Sequence, residues 1–167
     1  MRYRPNVCTV LFDPATGRVL VFRRTDRALG EQRWQFPQGG IRAGETPREA
    51  MLRELEEEIG TARVEILAEA PRPIRYVFPP EVARQLAGAD PEKQGYDGQE
   101  QAWFLARLLE GERSIHFRHQ PAEFDAYRWV SPAEAVEGIV SFKAEAYREG
   151  LRTFGLLPEK TGRGKAT

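Results

Sequence analysis

Three glutamates in one short stretch could bind a divalent metal. Glu54, Glu57 and Glu58 are spaced i, i+3 and i+4, so on a helix their carboxylates share one face. Carboxylates placed there repel one another, and Mg²⁺ or Mn²⁺, which prefer hard oxygen ligands, would relieve that repulsion. Arg53 lies further round and could orient a carboxylate through its planar guanidinium. The residues alone leave a second interpretation open, an acidic helix face that is merely solvated.

Local signals set the limits of that helix. Thr46, Pro47 and Glu49 form a capping-box pattern with proline in the first turn, and Gly60 is a typical stop. The pattern predicts a helix from about residue 47 to residue 59. Its apolar residues fall on a separate arc that would pack on the body of the protein: Met51, Leu52, Leu55 and Ile59.

The composition is that of a soluble globular domain of 167 residues. Apolar residues make up 41% of the chain, and 25 basic side chains balance 25 acidic ones. A neutral chain has no overall field that attracts nucleic acid or anionic lipid, so no DNA or membrane partner is expected. No apolar segment suits a signal peptide or a bilayer span, which makes the cytoplasm the default location. The single cysteine, Cys8, lies in an apolar run and is predicted to be a buried thiol.

Strand and helix patterns alternate along the chain and predict an α/β layered fold in one domain, residues 1–155. Predicted strands cover residues 7–12, 19–22, 34–38, 64–67, 74–78, 101–106 and 127–130. Further helices are predicted at 81–87, after the capping pattern at Ser131, and at 141–154. Residues 25–33 and 88–98 are predicted polar loops, and the tail, 156–167, is predicted to be disordered. The pattern does not define the strand order.

The stretch from Gly39 to Gly60 resembles the Nudix box, Gly-x5-Glu-x7-Arg-Glu-U-x-Glu-Glu-x-Gly-U, in which U is a bulky aliphatic residue. The matching positions are Gly39, Glu45, Arg53, Glu54, Leu55, Glu57, Glu58 and Gly60. Only the last position departs, where Thr61 replaces the aliphatic residue, a change expected to affect local packing more than chemistry. The resemblance implies the Nudix fold, a mixed β-sheet sandwiched between helices (α/β/α), and a hydrolase that uses Mg²⁺ or Mn²⁺.

Motifs outside the box resemble one branch of that family, the bacterial RNA pyrophosphohydrolases, also described as dinucleoside polyphosphate hydrolases. They are YRPNV (3–7), WQFPQGG (34–40), GQ-x-Q-x-WF (98–104), EFD (123–125) ahead of WV (129–130), and SFK (141–143). The resemblance implies conversion of 5′-triphosphorylated RNA to 5′-monophosphate ends, or cleavage of dinucleoside polyphosphates. A third alternative is a domain that senses nucleotides without hydrolysis, which is disfavoured because Glu54, Glu57 and Glu58 are all kept. The loop 25–33 looks longer than in the enterobacterial members.

The same resemblance implies roles for individual residues. The metal ligands would be Glu54, Glu57, Glu58, Glu123 and the Gly39 carbonyl. The catalytic residues would be Glu54, Glu57, Arg53 and Glu123. Substrate would be bound by Arg4 and Arg24 at its phosphates or first nucleotide and by the Phe142 ring at a nucleobase. Lys143 and Gln99 would line the same groove. Without the resemblance, Glu123 would be interpreted as a surface acid and Phe142 as a core residue.

Three other features are predicted to be structural. Glu45 is expected to brace the loop before the helix rather than bind metal. His116 and His119 have no helix to align them and are predicted to be surface residues rather than a zinc pair. The three tryptophans lie in apolar strands and are predicted to be core residues: Trp34, Trp103 and Trp129.

Overall fold

The computed structural model describes residues 1–89, 91 and 94–160, without the side chains of residues 28 and 29. Within those residues the chain forms eight strands and four helices. The strands are β1 (Tyr3–Asp13), β2 (Arg18–Arg24), β3 (Trp34–Gln35), β4 (Gln38–Gly40), β5 (Val64–Glu69), β6 (Ile74–Val77), β7 (Gly98–Leu108) and β8 (Phe124–Val130). The helices are α1 (Pro47–Ile59), α2 (Pro80–Ala89), α3 (Pro132–Glu137) and α4 (Ala144–Thr153).

A mixed sheet forms the middle layer. Strands β1 and β7 run parallel at its centre, with Cys8 opposite Trp103. The other pairs are antiparallel: β2 and β4 pair with β1, β5 and β6 pair with β7, and β3 and β8 pair with β2. Because β4 pairs with β1, Gly39 lies opposite Val7 and Gly40 opposite Asn6. The glycines that lead into α1 are therefore fixed to the central strand.

Helices cover both faces of the sheet, which confirms the predicted α/β/α arrangement. Alternate residues of β1 point to opposite sides, as the two-residue period of a strand requires. Leu11 packs on one side with Leu55 of α1. Val10 packs on the other side with Leu151 of α4. Cys8 is buried in this second cluster as predicted, and burial raises the pKa of its thiol.

Helix α1 begins and ends where its capping residues predict. The Glu49 N–H donates to Thr46 Oγ1 over 3.1 Å, and the Thr46 N–H donates to Glu49 Oε1 over 3.1 Å. Gly60 has φ 79°, in the left-handed region that glycine adopts most readily. A β-carbon on Gly60 would also collide with the His116 carbonyl. The departure from the box at Thr61 is buried, and its hydroxyl accepts from the Arg63 N–H over 3.2 Å.

Several predicted boundaries were wrong by a few residues, and one predicted strand is divided. Residues 34–38 form two short strands, separated at Phe36 and Pro37, because proline has no N–H to donate to a ladder. The last helix begins at Ala144 rather than residue 141, after a 3-10 turn at Ser141–Lys143. The predicted loop 25–33 contains 3-10 turns at Arg27–Gln32.

Two predictions fall partly on residues outside the described part of the chain. These are the loop 88–98, which contains residues 90, 92 and 93, and the tail 156–167, of which residues 161–167 are not described. At the described end, Leu156 and Leu157 pack against the cluster that contains Leu151. No helix in the described part of the chain is long and apolar enough to cross a membrane.

Candidate active site

The acidic face of α1 borders an open cleft of about 480 Å³. We call it the acidic cleft, and its lining residues are Arg4, Gln38, Gly39, Gly40, Glu54, Glu57, Glu58, His119, Gln120, Pro121 and Glu123. Of the five predicted metal ligands, Gly39 lies in β4, and Glu54, Glu57 and Glu58 lie in α1. The fifth, Glu123, lies in the segment before β8. The fold thus brings together residues more than eighty positions apart in the chain.

Glu58 is the most deeply buried of the three glutamates on the acidic face of α1, with a relative exposure of 7%. Its Oε1 accepts the Gln38 N–H over 3.1 Å, and its Oε2 has no hydrogen-bond partner among the described residues. Burial raises the pKa of Glu58 well above its usual value, and the charges of Glu54 and Glu123 raise it further. The site therefore holds a buried acid with one unsatisfied oxygen and negative neighbours.

Glu54 is also largely buried, with 16% of its side chain exposed. Burial raises its pKa, while the hydrogen bond from Arg53 and the Arg53 charge oppose that shift. Its carboxylate lies so close to Gly39 that a β-carbon there would overlap it. Glu57 is more open to solvent, with 38% of its side chain exposed. Solvent exposure of the three carboxylates thus increases from Glu58 to Glu54 to Glu57.

Arg53 connects the box residues to one another. Its Nε donates to Glu45 Oε2 over 2.6 Å, and its Nη2 donates to the Gly40 carbonyl over 2.8 Å. Its Nη1 donates to Glu54 Oε1 over 2.7 Å and to Glu57 Oε2 over 3.3 Å. The guanidinium orients two of the acidic side chains and fastens the loop to the helix, as its fork geometry allows.

Glu45 lies on the far side of Arg53 and does not line the acidic cleft. It accepts from Arg53 and from the Arg42 N–H over 2.8 Å. The hydrogen bond from Arg53, followed by that from the Arg42 backbone, lowers the pKa of Glu45 to about 2. This placement agrees with a residue that braces the loop.

Glu123 lines the acidic cleft, and Arg24 lies beside it without lining the cleft. Glu123 Oε1 lies 3.8 Å from Arg24 Nε. The Thr25 N–H donates to the Glu123 carbonyl over 3.0 Å, so the end of β2 fixes the backbone of this segment. Glu123 is the single predicted site residue that contributes negative charge from outside the box.

The remaining predicted substrate residues form a row beside the cleft. Gln99 lies opposite Arg4 on one side and Tyr76 on the other in the sheet register. The Phe142 ring centroid is 5.9 Å from that of Tyr76, and Lys143 Nζ is 5.8 Å from the Tyr76 centroid. Arg4 belongs both to this row and to the acidic cleft, so it joins the two regions.

The residues present suit a hard divalent cation. A buried carboxylate oxygen without a partner and three further carboxylates that line the same cleft are the oxygen donors that Mg²⁺ and Mn²⁺ prefer. In the described part of the chain, no three carboxylate, imidazole or thiolate groups already converge as a metal site. Arg53 draws Glu54 and Glu57 toward itself, so binding an ion requires small rotations of those side chains.

Three residues near the site were missed or interpreted differently from the sequence. His119 is exposed as predicted, yet it lines the acidic cleft. Arg42 Nη2 lies 3.5 Å from Glu57 Oε1, and Tyr96 borders an adjoining cleft. The sequence held one signal for Arg42: it closely follows Gly39 and Gly40, a position from which its side chain can reach the acidic face of α1. The sequence held no signal that Tyr96 lies near the site, because Tyr96 is in a loop far along the chain from the Gly39–Gly60 stretch.

Comparison with known proteins identifies the family. The family model for the NUDIX domain matches residues 2–150. The chain is 40% identical over 153 residues to an RNA pyrophosphohydrolase of Helicobacter pylori (strain P12), covering 92% of this chain and 94% of that protein. It is 43% identical over 155 residues to an RNA pyrophosphohydrolase of Photorhabdus laumondii, covering 91% and 82%.

A solved structure shares the same fold. The dihydroneopterin triphosphate pyrophosphohydrolase of E. coli aligns with a TM-score of 0.66 at 22% identity, covering 89% of this chain and 97% of that one. The fold and the acidic cleft define an α/β/α protein with a carboxylate site of the kind that binds divalent metals. The chain belongs to the Nudix family.

Proposed function

We propose that this protein is a metal-dependent hydrolase of 5′ polyphosphates that converts 5′-triphosphorylated RNA ends to 5′-monophosphate ends. The observation that carries the proposal is the partnerless Glu58 oxygen, buried in a cleft that also exposes Glu54, Glu57 and Glu123. The relatives named RNA pyrophosphohydrolase, similar over most of the chain, support RNA as the substrate.

The residues proposed to hold Mg²⁺ or Mn²⁺ are Glu54, Glu57, Glu58, Glu123 and the Gly39 carbonyl. When bound, such an ion neutralises phosphate charge and lowers the pKa of a coordinated water. Arg53 keeps Glu54 and Glu57 in position through the hydrogen bonds described above. Because Gly39 has no side chain, the carboxylate of Glu54 can lie against the backbone of β4.

In the proposed reaction, a water oxygen forms a bond to one phosphorus of the 5′ polyphosphate. The bond from that phosphorus to a bridging oxygen breaks, and the leaving phosphate or pyrophosphate takes the electron pair. A carboxylate of the cleft accepts the proton that the water loses. Glu57 and Glu123 are the more exposed acids, with 38% and 45% of their side chains exposed, so water reaches them most easily.

Cations and an aromatic ring are proposed to bind the substrate. Arg4 lines the cleft and Arg24 lies beside Glu123, and both supply guanidinium donors that suit phosphate oxygens. Phe142 is half-buried against Tyr76, and its ring is proposed to stack on a nucleobase. Lys143 and Gln99 are proposed to line the same groove. Stacking is tolerant of sequence, which suits an enzyme that acts on RNA ends.

The second candidate is a dinucleoside polyphosphate hydrolase that acts on diadenosine tetraphosphate or pentaphosphate. It uses the same cleft, since both substrates carry a polyphosphate on a nucleoside. A sensor that binds nucleotides without hydrolysis is disfavoured, because every box carboxylate is present. No DNA or membrane partner is expected of a chain without net charge, and the cytoplasmic location stays a prediction from the sequence.

A comparison of two substrates tests the proposal. Purified protein with Mg²⁺ is given a short 5′-triphosphorylated RNA and, separately, diadenosine tetraphosphate, and kcat/KM is measured for each. We expect faster conversion of RNA to its 5′-monophosphate form. Faster cleavage of diadenosine tetraphosphate would favour the second candidate. Inactivity on both would favour the sensor.

A further inference from the structure

Residues 116–123 form a segment that is attached to the rest of the protein near both of its ends. At its first residue, the His116 N–H donates to the carbonyl of Ile59, the last residue of α1, over 2.8 Å. Near its other end, the Thr25 hydroxyl donates to the Ala122 carbonyl over 3.0 Å. Thr25 directly follows β2. The segment is therefore tied to α1 and to the end of β2, and its middle lies at the acidic cleft.

Two phenylalanines add hydrophobic anchors at the same places. The Phe117 ring lies edge-on to the buried ring of Phe22, with 6.4 Å between the centroids. Phe124, the first residue of β8, has its ring centroid 5.4 Å from that of Phe22. Both anchors thus contact one buried ring. Between them, the side chains of His119 and Gln120 are exposed and line the acidic cleft.

The two histidines of the chain line different cavities. His119 lines the acidic cleft, whereas His116 lines a separate cavity beside the C-terminal end of α1. Both are exposed, and no hydrogen bond or ion pair to another described residue engages either imidazole. The imidazole of His119 is therefore available to a ligand of the acidic cleft, and His116 is a matched control for it.

The acidic cleft has few positive groups for a substrate with several negative charges. Among the described residues that line it, four are glutamates, and Arg4 and His119 are the two that can carry positive charge. A neutral imidazole has one N–H donor and an imidazolium has two, so His119 can donate to an anion in either state. Such donors to phosphate oxygens complement metal ions in phosphoryl transfer.

We propose that the His119 imidazole donates a hydrogen bond to a phosphate oxygen of the polyphosphate bound in the acidic cleft. Arg4, in β1, and His119, between β7 and β8, then bind the phosphates from separate parts of the chain. The attachments at Ile59 and Thr25 reduce the entropy cost of holding the imidazole at a bound phosphate. This inference rests on the proposed function and adds a substrate-binding residue to the same site.

The kinetic test compares His119→Ala with His119→Gln, which keeps an N–H donor, and with the control His116→Ala. The measurement is kcat/KM on 5′-triphosphorylated RNA with Mg²⁺. It should fall about tenfold in His119→Ala, the size expected for one lost hydrogen bond to a charged group. Most of that loss should be restored in His119→Gln, and His116→Ala should match wild type. A wild-type value in His119→Ala, or an equal fall in His116→Ala, would overturn the inference.

A binding measurement tests the contact without turnover. Because the chain has two histidines, NMR of the untagged protein gives two ring Cε1–H signals, and each alanine variant assigns one signal by removing it. The probe is imidodiphosphate, a pyrophosphate analogue whose P–N–P bridge resists hydrolysis, added at constant pH to wild-type protein in Mg²⁺. The His119 signal should move while the His116 signal stays in place. A stationary His119 signal, or equal movement of both signals, overturns the inference.

The two measurements distinguish failure of this inference from failure of the proposed function. If the wild type hydrolyses neither RNA nor diadenosine tetraphosphate but the His119 signal moves alone, the proposed function fails and the phosphate contact stands. If the wild type hydrolyses RNA while the His119 signal stays in place, the inference alone fails.

Discussion

The backbone of Gly39 lies directly against the carboxylate of Glu54. A β-carbon built on Gly39 would overlap the carboxyl carbon and both oxygens of Glu54. Gly39 lies in β4 and Glu54 in α1, so the carboxylate of the acidic helix rests on the backbone of the strand. The backbone of Gly39 is not left-handed, and glycine is needed here because it has no side chain.

We predict that Gly39→Ala lowers turnover strongly while the protein stays folded. The new methyl group displaces the end of a flexible side chain, so the fold can adjust, but Glu54 moves away from the cleft. A displacement of about 1 Å in a reacting site can lower the rate by about 100-fold. The measurement is kcat with Mg²⁺, together with the midpoint of thermal unfolding.

Gly88→Ala is the matched control, because a β-carbon on Gly88 meets no atom within 4 Å. It should keep wild-type turnover. Wild-type kcat in Gly39→Ala would show that the Gly39–Glu54 contact has no part in catalysis.

We predict that Arg53→Lys lowers Mg²⁺ affinity and kcat by about 10- to 100-fold, as is typical when a residue that orients metal ligands is changed. Lysine keeps the charge but cannot donate to Glu45, Glu54 and the Gly40 carbonyl at the same time. Activity is titrated against Mg²⁺ concentration. Arg48→Lys, on the exposed Arg48–Glu69 pair, is the control and should behave as wild type. An unchanged Mg²⁺ dependence in Arg53→Lys would contradict the orienting role.

We predict that Glu57→Gln lowers turnover of both RNA and diadenosine tetraphosphate by at least about 100-fold, the usual size of a lost metal ligand or base. Glutamine keeps the shape of the side chain but removes its charge. Glu56→Gln changes the exposed neighbour, whose side chain does not line the acidic cleft, and should retain activity. Retained turnover in Glu57→Gln would refute the assignment of Glu57 as a ligand or base.

Local sequence signals predicted the limits of α1 correctly, but they did not predict how deeply its glutamates are buried. The limits of the helix follow from Thr46 and Gly60, which act within one turn of it. The spacing of Glu54, Glu57 and Glu58 placed them on one face but gave no sign that Glu58 is buried. Burial depends on β4, which lies across the helix and donates the Gln38 N–H. That contact joins two elements and cannot be derived from a helical period.

The pairing of strands that are distant in the sequence could not be predicted from the pattern either. The parallel pairing of β1 with β7 brings Arg4 opposite Gln99, ninety-five positions later, and no local signal encodes it. Glu123 reached the predicted site only through the family resemblance, because a single acid in a loop has no periodicity. Tryptophan burial was predicted in part: Trp103 is 1% exposed, whereas Trp34 and Trp129 are half-buried. Trp34 instead lies beneath Arg128, 4.2 Å from its ring centroid.

We predict that Phe142→Ala raises KM for RNA and for diadenosine tetraphosphate by about tenfold, since one base stack contributes roughly 1–3 kcal/mol. The value of kcat should change little, because Phe142 does not line the acidic cleft. Phe154→Ala is the control, a second half-buried phenylalanine packed on the same core cluster. It should lower the unfolding temperature without changing KM. Equal KM values in Phe142→Ala and wild type would exclude a stacking role.

We predict that Glu58→Gln makes the metal-free protein more stable, and increasingly so as pH rises. Burial raises the pKa of Glu58 in the folded protein above the ordinary value of 4.5 that it has when unfolded. Between these two values the folded state binds a proton that the unfolded state has lost, so stability falls as pH rises. Glutamine does not titrate, so the variant escapes this loss.

The check is thermal unfolding from pH 5 to pH 8 in the presence of a chelator. The unfolding temperature of Glu58→Gln minus that of wild type should grow with pH. Glu134→Gln is a control whose effect on stability should have the opposite sign, because the hydrogen bond from the Ser131 backbone lowers the pKa of Glu134. Its carboxylate stabilises the protein above pH 4.5, so this variant should be less stable than wild type by a constant amount from pH 5 to pH 8, and the difference should shrink only below pH 4.5.

The effect of Mg²⁺ on stability tests whether Glu58 binds a metal ion. A cation at the partnerless oxygen stabilises the charged form, so Mg²⁺ should raise the unfolding temperature of wild type most at high pH. Glu58→Gln should lose most of that gain, because its neutral amide is a poor ligand for a hard cation. A difference between variant and wild type that is independent of both pH and Mg²⁺ would mean that folding does not raise the pKa of Glu58 and that Glu58 does not bind the metal.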